Sequence, residues 1–125
     1  VKEAIRGTKE QLTVAMYGFD NTELGDELLQ LAKKGVRVRL KIDTARNGSK
    51  KIVTLINKLR GAGVVVQTVA PGGRNHNKFV IIDGKRVLTG SYNWTLRSER
   101  NWENLIILDC PELAKAYENE WERIH

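Results

Sequence analysis

The sequence predicts one α/β domain, a mixed β-sheet with helices on both of its faces. Its 125 residues are enough to bury a single hydrophobic core. In the first half, short apolar segments alternate with amphipathic ones, which is the order of a βαβαβ unit with parallel strands. In the second half, a turn signal at Asp83-Gly84 separates two apolar segments and predicts antiparallel pairing.

Three strands and two helices are predicted in the first half. The first strand covers Leu12 to Phe19, and Thr22 is the predicted N-cap of the helix that follows. Strict alternation of apolar and polar residues predicts a second strand over Val36 to Asp43. A helix from Ser49 then leads into a third strand, Val64 to Ala70.

The second half predicts a hairpin, one more strand and a closing helix. Asp83-Gly84 is a typical two-residue hairpin turn, in which Ile82 faces Lys85. The apolar segment from Glu103 to Asp109 predicts the next strand. Pro111 suits the first turn of a helix and starts the amphipathic segment that closes the chain.

The predicted hairpin register gathers polar side chains on one face of the sheet. In this register His76 lies across from Ser91, and Lys78 lies across from Thr89. Side chains alternate between the two faces of a strand, so residues two positions apart on each strand, together with the residues opposite them, are predicted to lie on the same face. The set near the open end of the hairpin is His76, Lys78, Ser91 and Asn93.

Three further residues have predicted supporting roles around the hairpin. Asp83 sits in the turn, about 16 Å from Lys78 along an extended strand, so turn formation and local backbone hydrogen bonding are its expected roles. Gly90 has no side chain, which lets a ligand or another backbone approach closely. Glu103 begins the next strand and is placed to accept a hydrogen bond from the second imidazole nitrogen of His76.

These residues resemble the motif of the phospholipase D superfamily. The pattern is His76-x-Lys78-x4-Asp83-x6-Gly90-Ser91-x-Asn93. The Gly-Ser-x-Asn tail at the right distance makes the match specific. The resemblance extends over nearly the whole chain, through AMYGF, GVRVRLKID, NWENLIILD and the closing PELAKAYENEWERI. It implies a phospholipase D-like fold, with residues 1–125 as a single catalytic domain.

The resemblance also implies a chemistry that needs no metal ion or other cofactor. Members of the superfamily use the motif histidine as a nucleophile on phosphorus and form a covalent phosphohistidine that water then hydrolyses. Carried over to this chain, His76 attacks and Lys78 holds the non-bridging oxygens. Ser91 and Asn93 complete the phosphate pocket, and Glu103 orients His76. The catalytic set, with Asp83 included because it belongs to the family motif, is His76, Lys78, Asp83, Ser91, Asn93 and Glu103.

In-line displacement at phosphorus requires a second acid. The nucleophile and the leaving group lie on opposite sides of phosphorus, so His76 cannot also protonate the leaving oxygen. The other histidine, His125, is the last residue and a poor candidate. Single-motif relatives pair two chains about a two-fold axis. The expected assembly is therefore a homodimer joined through the active-site face, with one composite site.

The net charge favours a polyanionic partner. The chain has 21 Lys and Arg against 15 Asp and Glu, a formal charge of +6. Such a partner is nucleic acid or an anionic lipid surface. Together with arginines near the motif, the charge makes nucleic acid, either DNA or RNA, the expected substrate, with backbone phosphates contacted by arginines and a base stacked on a tryptophan. The predicted binding residues are Arg74, Arg97, Arg100 and Trp94. Packing of the loop after Asn93 is the alternative role for the tryptophan.

Alternating cations in the second strand have two open interpretations. Arg37, Arg39 and Lys41 occupy every second position. Their side chains either form a row of cations that binds nucleic acid, or they simply face solvent on one side of the strand.

Other functions are less well supported by the sequence. The second enzyme interpretation is a phospholipase acting on a phosphatidyl head group, and the third is a nucleic-acid-binding module without activity. A phospholipase calls for an exposed apolar rim, and the acidic closing helix suits an anionic membrane badly, so a membrane partner is not expected. The single Cys110 excludes an internal disulfide and a cysteine-rich zinc module. No tight carboxylate cluster supports a metal-dependent nuclease.

The start of the chain suggests a longer parent protein. The first residue is Val1 rather than Met, and no signal peptide is visible. Relatives in the superfamily usually have an additional strand and a longer helix before the segment equivalent to VKEAIRGTKEQL. We therefore expect a domain trimmed at its start or cut from a larger protein, cytoplasmic by default and secreted or periplasmic if a leader was removed.

Overall fold

A computed structural model describes residues 1–19, 21–43, 50–69, 77–91, 94 and 103–124. Within them the helices and strands follow the predicted order, with one addition, a short first helix. In chain order the elements are α1 (Lys2–Arg6), β1 (Gln11–Met16), α2 (Thr22–Lys33), β2 (Arg37–Asp43), α3 (Lys50–Gly61), β3 (Val65–Val69), β4 (Lys78–Ile82), β5 (Arg86–Gly90), β6 (Leu105–Asp109) and α4 (Pro111–Arg123).

The strands form one mixed sheet, in the order β3-β2-β1-β4-β5-β6. The first three strands pair in parallel, and β4, β5 and β6 continue the sheet in antiparallel fashion from β1. The predicted mixed sheet is therefore confirmed. The carboxyl ends of β1, β2, β3 and β5 and the first residues of β4 and β6 all lie at one edge of the sheet. This edge, which carries Met16, Lys78 and Gly90, is called the site edge below.

Helices cover both faces of the sheet, as predicted. Alternate residues of the central strands point to opposite sides, so each strand contributes to two cores. On one face, α1, α2 and α3 enclose a core that includes Ile5, Leu28 and Ile52. On the other face, α4 packs Ala114 and Trp121 against the sheet. The sheet residues of this second core are Ala15, Phe79, Ile81 and Val87.

Two cations of β2 lie beneath α4. Arg39 Nη2 contacts Glu118 Oε2 at 2.9 Å, and Lys41 Nζ donates to the carbonyl oxygens of Trp121 and Ile124 at 2.8 and 2.6 Å. Lys41 is only 6% exposed, and its charge complements the negative end of the α4 dipole. Both interpretations of the alternating cations are therefore wrong for Arg39 and Lys41, because α4 covers them.

The start of α2 also differs from the prediction. The N-cap is Asn21 rather than Thr22, and its Oδ1 accepts hydrogen bonds from the backbone N–H groups of Glu23 and Leu24 at 3.0 and 3.3 Å. Both residue types cap helices well, so the sequence alone does not choose between adjacent candidates. Helix α1 was not predicted, because five residues are too few to display a helical period.

The hairpin between β4 and β5 turns at the predicted residues. Asp83 and Gly84 both have positive φ, 53° and 65°, as the turn type favoured in two-residue hairpins requires. The Lys85 N–H donates to the Ile82 carbonyl at 3.0 Å and closes the turn. The predicted location of the turn is therefore confirmed.

Strand pairing beyond this turn begins one residue later than predicted. The Lys85 carbonyl accepts a hydrogen bond from the Cys110 N–H at 2.8 Å, at the end of β6, so Lys85 is an extra residue between the paired strands. Thr89 consequently lies opposite Phe79 and not opposite Lys78. The predicted register is wrong by one position for these pairs, whereas His76 and Asn93, two of the residues that it was expected to gather on one face, lie outside the described residues.

The strand β6 exposes apolar side chains at the rim of the sheet. It pairs with β5 and lies last in the strand order of the described residues. Its first residue, Leu105, lies opposite Gly90 at the site edge. An exposed apolar row of this kind is unusual for an edge strand. The exposed fractions are 40% for Leu105, 53% for Ile106, 51% for Ile107 and 38% for Leu108.

Candidate active site

Lys78 places the motif cation at the site edge. It lies opposite Met16, the last residue of β1, and its Nζ is 5.5 Å from the centroid of the Tyr17 ring. Burial lowers the pKa of Lys78 below its ordinary value, whereas the Glu103 carboxylate acts in the opposite direction and raises it. The site edge therefore holds a partly desolvated ammonium group whose lowered pKa is partly restored by the Glu103 carboxylate.

Ser91 connects the end of β5 to the segment that enters β6. Its hydroxyl donates a hydrogen bond to Glu103 Oε2 and accepts one from the Asn104 N–H at 3.0 Å. Its own backbone N–H donates to the Asn104 carbonyl at 2.9 Å. These three hydrogen bonds fix the hydroxyl and the carboxylate relative to each other.

Gly90 makes this close junction possible. Its φ is 157°, and a Cβ at this position would lie 2.0 Å from the Asn104 carbonyl oxygen. Such an overlap with backbone excludes every other residue type unless the strands move apart. The prediction that Gly90 permits a close backbone approach is confirmed, and the backbone is that of Asn104.

These contacts bring Lys78, Ser91 and Glu103 to the same part of the site edge. The ammonium comes from β4, the hydroxyl from the end of β5 and the carboxylate from the segment before β6. A partly buried cation and an exposed hydroxyl fixed by hydrogen bonds can stabilise the non-bridging oxygens of a phosphoryl group. The arrangement is therefore suited to binding phosphate. Its cation, Lys78, lies two residues after His76 in the chain.

Glu103 has a described partner that differs from the predicted one. The sequence suggested that it orients His76, whereas in the structure its carboxylate accepts a hydrogen bond from Ser91. His76 lies outside the described residues, so its predicted contact with Glu103 stays a prediction.

Other predicted site residues also lie outside the described part of the chain. They are Asn93, Arg74, Arg97 and Arg100. The described residue that follows His76 is Asn77, whose carbonyl accepts a hydrogen bond from the Tyr17 N–H at 2.9 Å. The backbone next to His76 is thus attached to the end of β1. Tyr17 and Asn104 were not predicted as site residues, because their contribution depends on contacts between strands distant in sequence.

Asp83 lies at the opposite end of β4 from the site edge. Its carboxylate accepts hydrogen bonds from three consecutive backbone N–H groups at the start of β1, those of Lys9, Glu10 and Gln11, at 3.0, 2.7 and 3.0 Å. Burial raises the pKa of Asp83, but these donors outweigh it and hold the pKa below its ordinary value. The expected backbone hydrogen bonds exist, but they join segments more than 70 residues apart rather than neighbours in the turn.

Trp94 packs in the core between the sheet and the helices. It is 1% exposed, its ring meets Phe19 edge to face with centroids 5.5 Å apart, and its backbone bonds to Gly18 and Asn21. A side chain buried in this way has no ring face on which a base can stack. The packing alternative is therefore correct, and the base-stacking role predicted for Trp94 is wrong.

The described residues contain neither a cluster that could hold a metal ion nor a helix that could span a membrane. Among them, no group of three or more His, Cys, Asp or Glu side chains is arranged to hold a metal ion. Within the same part of the chain, the helices are too short or too polar to cross a membrane.

Comparisons with known proteins agree with this geometry. A family model described as "Cardiolipin synthase, PLD-like domain" matches residues 1–125. The mitochondrial cardiolipin hydrolase of Xenopus laevis is 38% identical over 122 residues, which cover 94% of this chain and 56% of that protein. A phospholipase D of Rickettsia conorii is 33% identical over 122 residues, covering 97% and 60%. The chain therefore spans a little more than half the length of these curated relatives.

A solved structure has the same fold. The crystal structure of Nuc, a phospholipase D family member from Salmonella typhimurium, matches with a TM-score of 0.91 and 27% sequence identity, over 98% of this chain and 82% of Nuc. The fold and the family match together define the class of domain as phospholipase D-like. The chain belongs to the phospholipase D superfamily.

The electrostatic effect of Glu103 on Lys78 predicts a shift in the pH dependence of activity. The Glu103 carboxylate raises the pKa of Lys78, so Glu103→Gln lowers it further while keeping a hydrogen-bond acceptor for Ser91. Because an amine holds phosphate well only when it is protonated, we expect the alkaline limb of the pH–rate profile for kcat/KM to move to lower pH. The control is Glu10→Gln, an exposed acid at the far edge of the sheet, which should leave the limb in place. An alkaline limb unmoved by Glu103→Gln would contradict the coupling.

Proposed function

We propose that this domain is a metal-independent phosphodiesterase that hydrolyses nucleic acid, in the manner of an endonuclease, through a covalent phosphohistidine. The observation that carries the proposal is the convergence of Lys78, Ser91 and Glu103 at the site edge, next to the segment that contains His76. A hydrogen-bonded hydroxyl beside a partly desolvated cation is the environment in which a phosphoryl group gains most from electrostatic stabilisation.

The proposed reaction proceeds by two displacements at phosphorus. In the first, an imidazole nitrogen of His76 attacks phosphorus and the bond to the leaving oxygen breaks, while a second acid protonates that oxygen. In the second, water attacks phosphorus, its proton returns to the same second group, and the phosphorus–nitrogen bond breaks. The products are a phosphomonoester and an alcohol. Lys78 stays protonated throughout and offsets the charge on the non-bridging oxygens.

Charge supports nucleic acid as the substrate. The formal charge of +6 favours association with a polyanion, and the sequence puts Arg74, Arg97 and Arg100 close to the motif. These arginines are proposed to contact backbone phosphates on either side of the scissile bond. Contacts of this type give little sequence preference, and they apply equally to DNA and RNA.

A second copy of the chain is proposed to complete the site. His76 lies on the attacking side of phosphorus, so the acid that protonates the leaving oxygen must come from elsewhere. A homodimer joined through the site edge supplies His76 of the partner subunit for that task and gives one composite site for two chains.

A phosphatidyl lipid is the second candidate substrate, favoured by a specific observation. The exposed apolar row of β6 begins at Leu105, opposite Gly90 and one residue after Asn104. A phospholipase needs an apolar rim of this kind beside its phosphate site. The relative from Xenopus laevis is named as a cardiolipin hydrolase, which supports the same substrate class.

Replacement of the proposed nucleophile tests the reaction. His76→Ala should lower the cleavage rate by about a thousandfold or more, because it removes the group that forms the covalent intermediate. The protein should be assayed in excess chelator on single-stranded and double-stranded DNA, on RNA and on vesicles of anionic phospholipid. The control His125→Ala removes the other histidine and should retain activity. Cleavage that needs a divalent metal, or that survives His76→Ala, would overturn the mechanism, and cleavage of lipid alone would select the second candidate.

Mixing wild-type chains with His76→Ala chains tests the composite site. If both copies contribute a histidine, only dimers with two intact chains are active, so an equal mixture after subunit exchange should retain about a quarter of the wild-type activity. Chains that act independently would retain about a half. Sedimentation velocity on the same samples should show a dimer at micromolar concentration. A monomer that cleaves at full rate would refute the dimer.

A further inference from the structure

A small cavity lies between α4 and the start of β4. Its volume is about 270 Å³, and its walls are formed by Asn77, Phe79, Ala116, Tyr117 and Glu120. This is slightly below the usual range for small-molecule pockets, roughly 300–1,000 Å³, so it suits a single planar group.

The cavity is adjacent to the phosphate-binding part of the site edge. Asn77 precedes Lys78 in the chain, and its carbonyl accepts the Tyr17 N–H at 2.9 Å. The same Tyr17 has its ring 5.5 Å from Lys78 Nζ. Asn77 therefore connects the cavity with the residue that is proposed to hold the phosphate.

The walls of the cavity combine an aromatic surface with hydrogen-bonding groups. The Tyr117 ring is held edge to face against Phe79, with centroids 4.9 Å apart. Asn77 supplies an amide with both donors and an acceptor, and Glu120 supplies a carboxylate. Glu120 Oε2 also accepts a hydrogen bond from Arg123 at 3.3 Å, a long contact between exposed side chains that a ligand can rearrange.

We propose that this cavity receives the nucleobase adjacent to the scissile phosphate, an inference that rests on nucleic acid being the substrate. The aromatic wall packs against the base, and the polar side chains read its edge. A carboxylate accepts hydrogen bonds but cannot donate them, so Glu120 selects a base with an exocyclic amino group over one that has only a carbonyl there. A second phosphate or a fatty acyl chain is excluded, because the Glu120 charge repels the first and is desolvated by the second.

The test compares cleavage of oligo-deoxycytidine and oligo-deoxythymidine, which differ at the base edge by an amino group and a carbonyl. The wild-type protein should cleave the cytidine substrate with a kcat/KM about tenfold higher, the gain from one charge-assisted hydrogen bond. Glu120→Gln should reduce this ratio towards one, because its amide can serve both bases. Tyr117→Leu should raise KM for both substrates. The matched control is Glu112→Gln, an exposed acid in the first turn of the same helix, which should keep the wild-type ratio.

The outcomes separate failure of this inference from failure of the proposed function. If nucleic acid is cleaved but the ratio of kcat/KM for cytidine to that for thymidine is the same in the wild-type protein and in Glu120→Gln, the base subsite is overturned. The proposed nuclease activity is not affected by that outcome. Absence of nucleic-acid cleavage together with hydrolysis of anionic phospholipid vesicles would overturn both. Thermal unfolding of each variant, measured alongside, shows whether a lost rate reflects a lost fold.

Discussion

The rest of the structure depends on the hydrogen bonds that the Asp83 carboxylate accepts at the start of β1. Three consecutive backbone N–H groups, those of Lys9, Glu10 and Gln11, point at this one side chain. The turn of the β4–β5 hairpin is thereby fixed to the neighbouring strand. The Asp83 N–H also donates to the Gln11 carbonyl at 2.9 Å, so the attachment has both donors and acceptors.

Attachment of the hairpin turn to the first residues of β1 determines where Lys78 lies at the other end of the strand. With the first residues of β1 held against the hairpin turn, the antiparallel register brings Met16 opposite Lys78. The ammonium of Lys78 then lies over the ring of Tyr17 and within the influence of Glu103. An aspartate about 16 Å along the strand can therefore decide where the motif lysine lies without touching phosphate. This gives a physical reason for an acidic residue at the fifth position after Lys78.

Local signals in the sequence predicted much of the fold, and long-range contacts account for the rest. The turn at Asp83-Gly84 was predictable because positive φ favours these residue types. The extra residue Lys85 was not, because its carbonyl bonds to Cys110 across a distance that only the folded sheet defines. Alternation identified β2, yet nothing in that pattern indicates that α4 covers Lys41.

For the candidate site, too, local signals in the sequence were predictive and long-range contacts were not. Spacing in the motif predicted that Lys78 and Ser91 belong to one site, and the absent side chain of Gly90 suggested a close approach of another backbone. The partner in that approach, Asn104, and the hydrogen bond from Ser91 to Glu103 depend on how β5 meets β6. Trp94 lies next to the motif in sequence but is buried, since its backbone pairs with the segment after β1.

The most direct test measures the stability and the activity of Asp83→Asn together. Asparagine tolerates the positive φ of this turn position but loses the charge, so the variant should be less stable by about 1–2 kcal/mol at neutral pH. The folded-state pKa of Asp83 is depressed, so its contribution is present above the unfolded pKa and is lost as the pH falls below about 4. Asp83→Asn should lack this acid-dependent loss, and Asp26→Asn, an exposed acid on α2, should keep it. Folded Asp83→Asn should retain kcat within about twofold of the wild type. A variant of wild-type stability that has lost activity would contradict a purely structural role and place Asp83 in the chemistry.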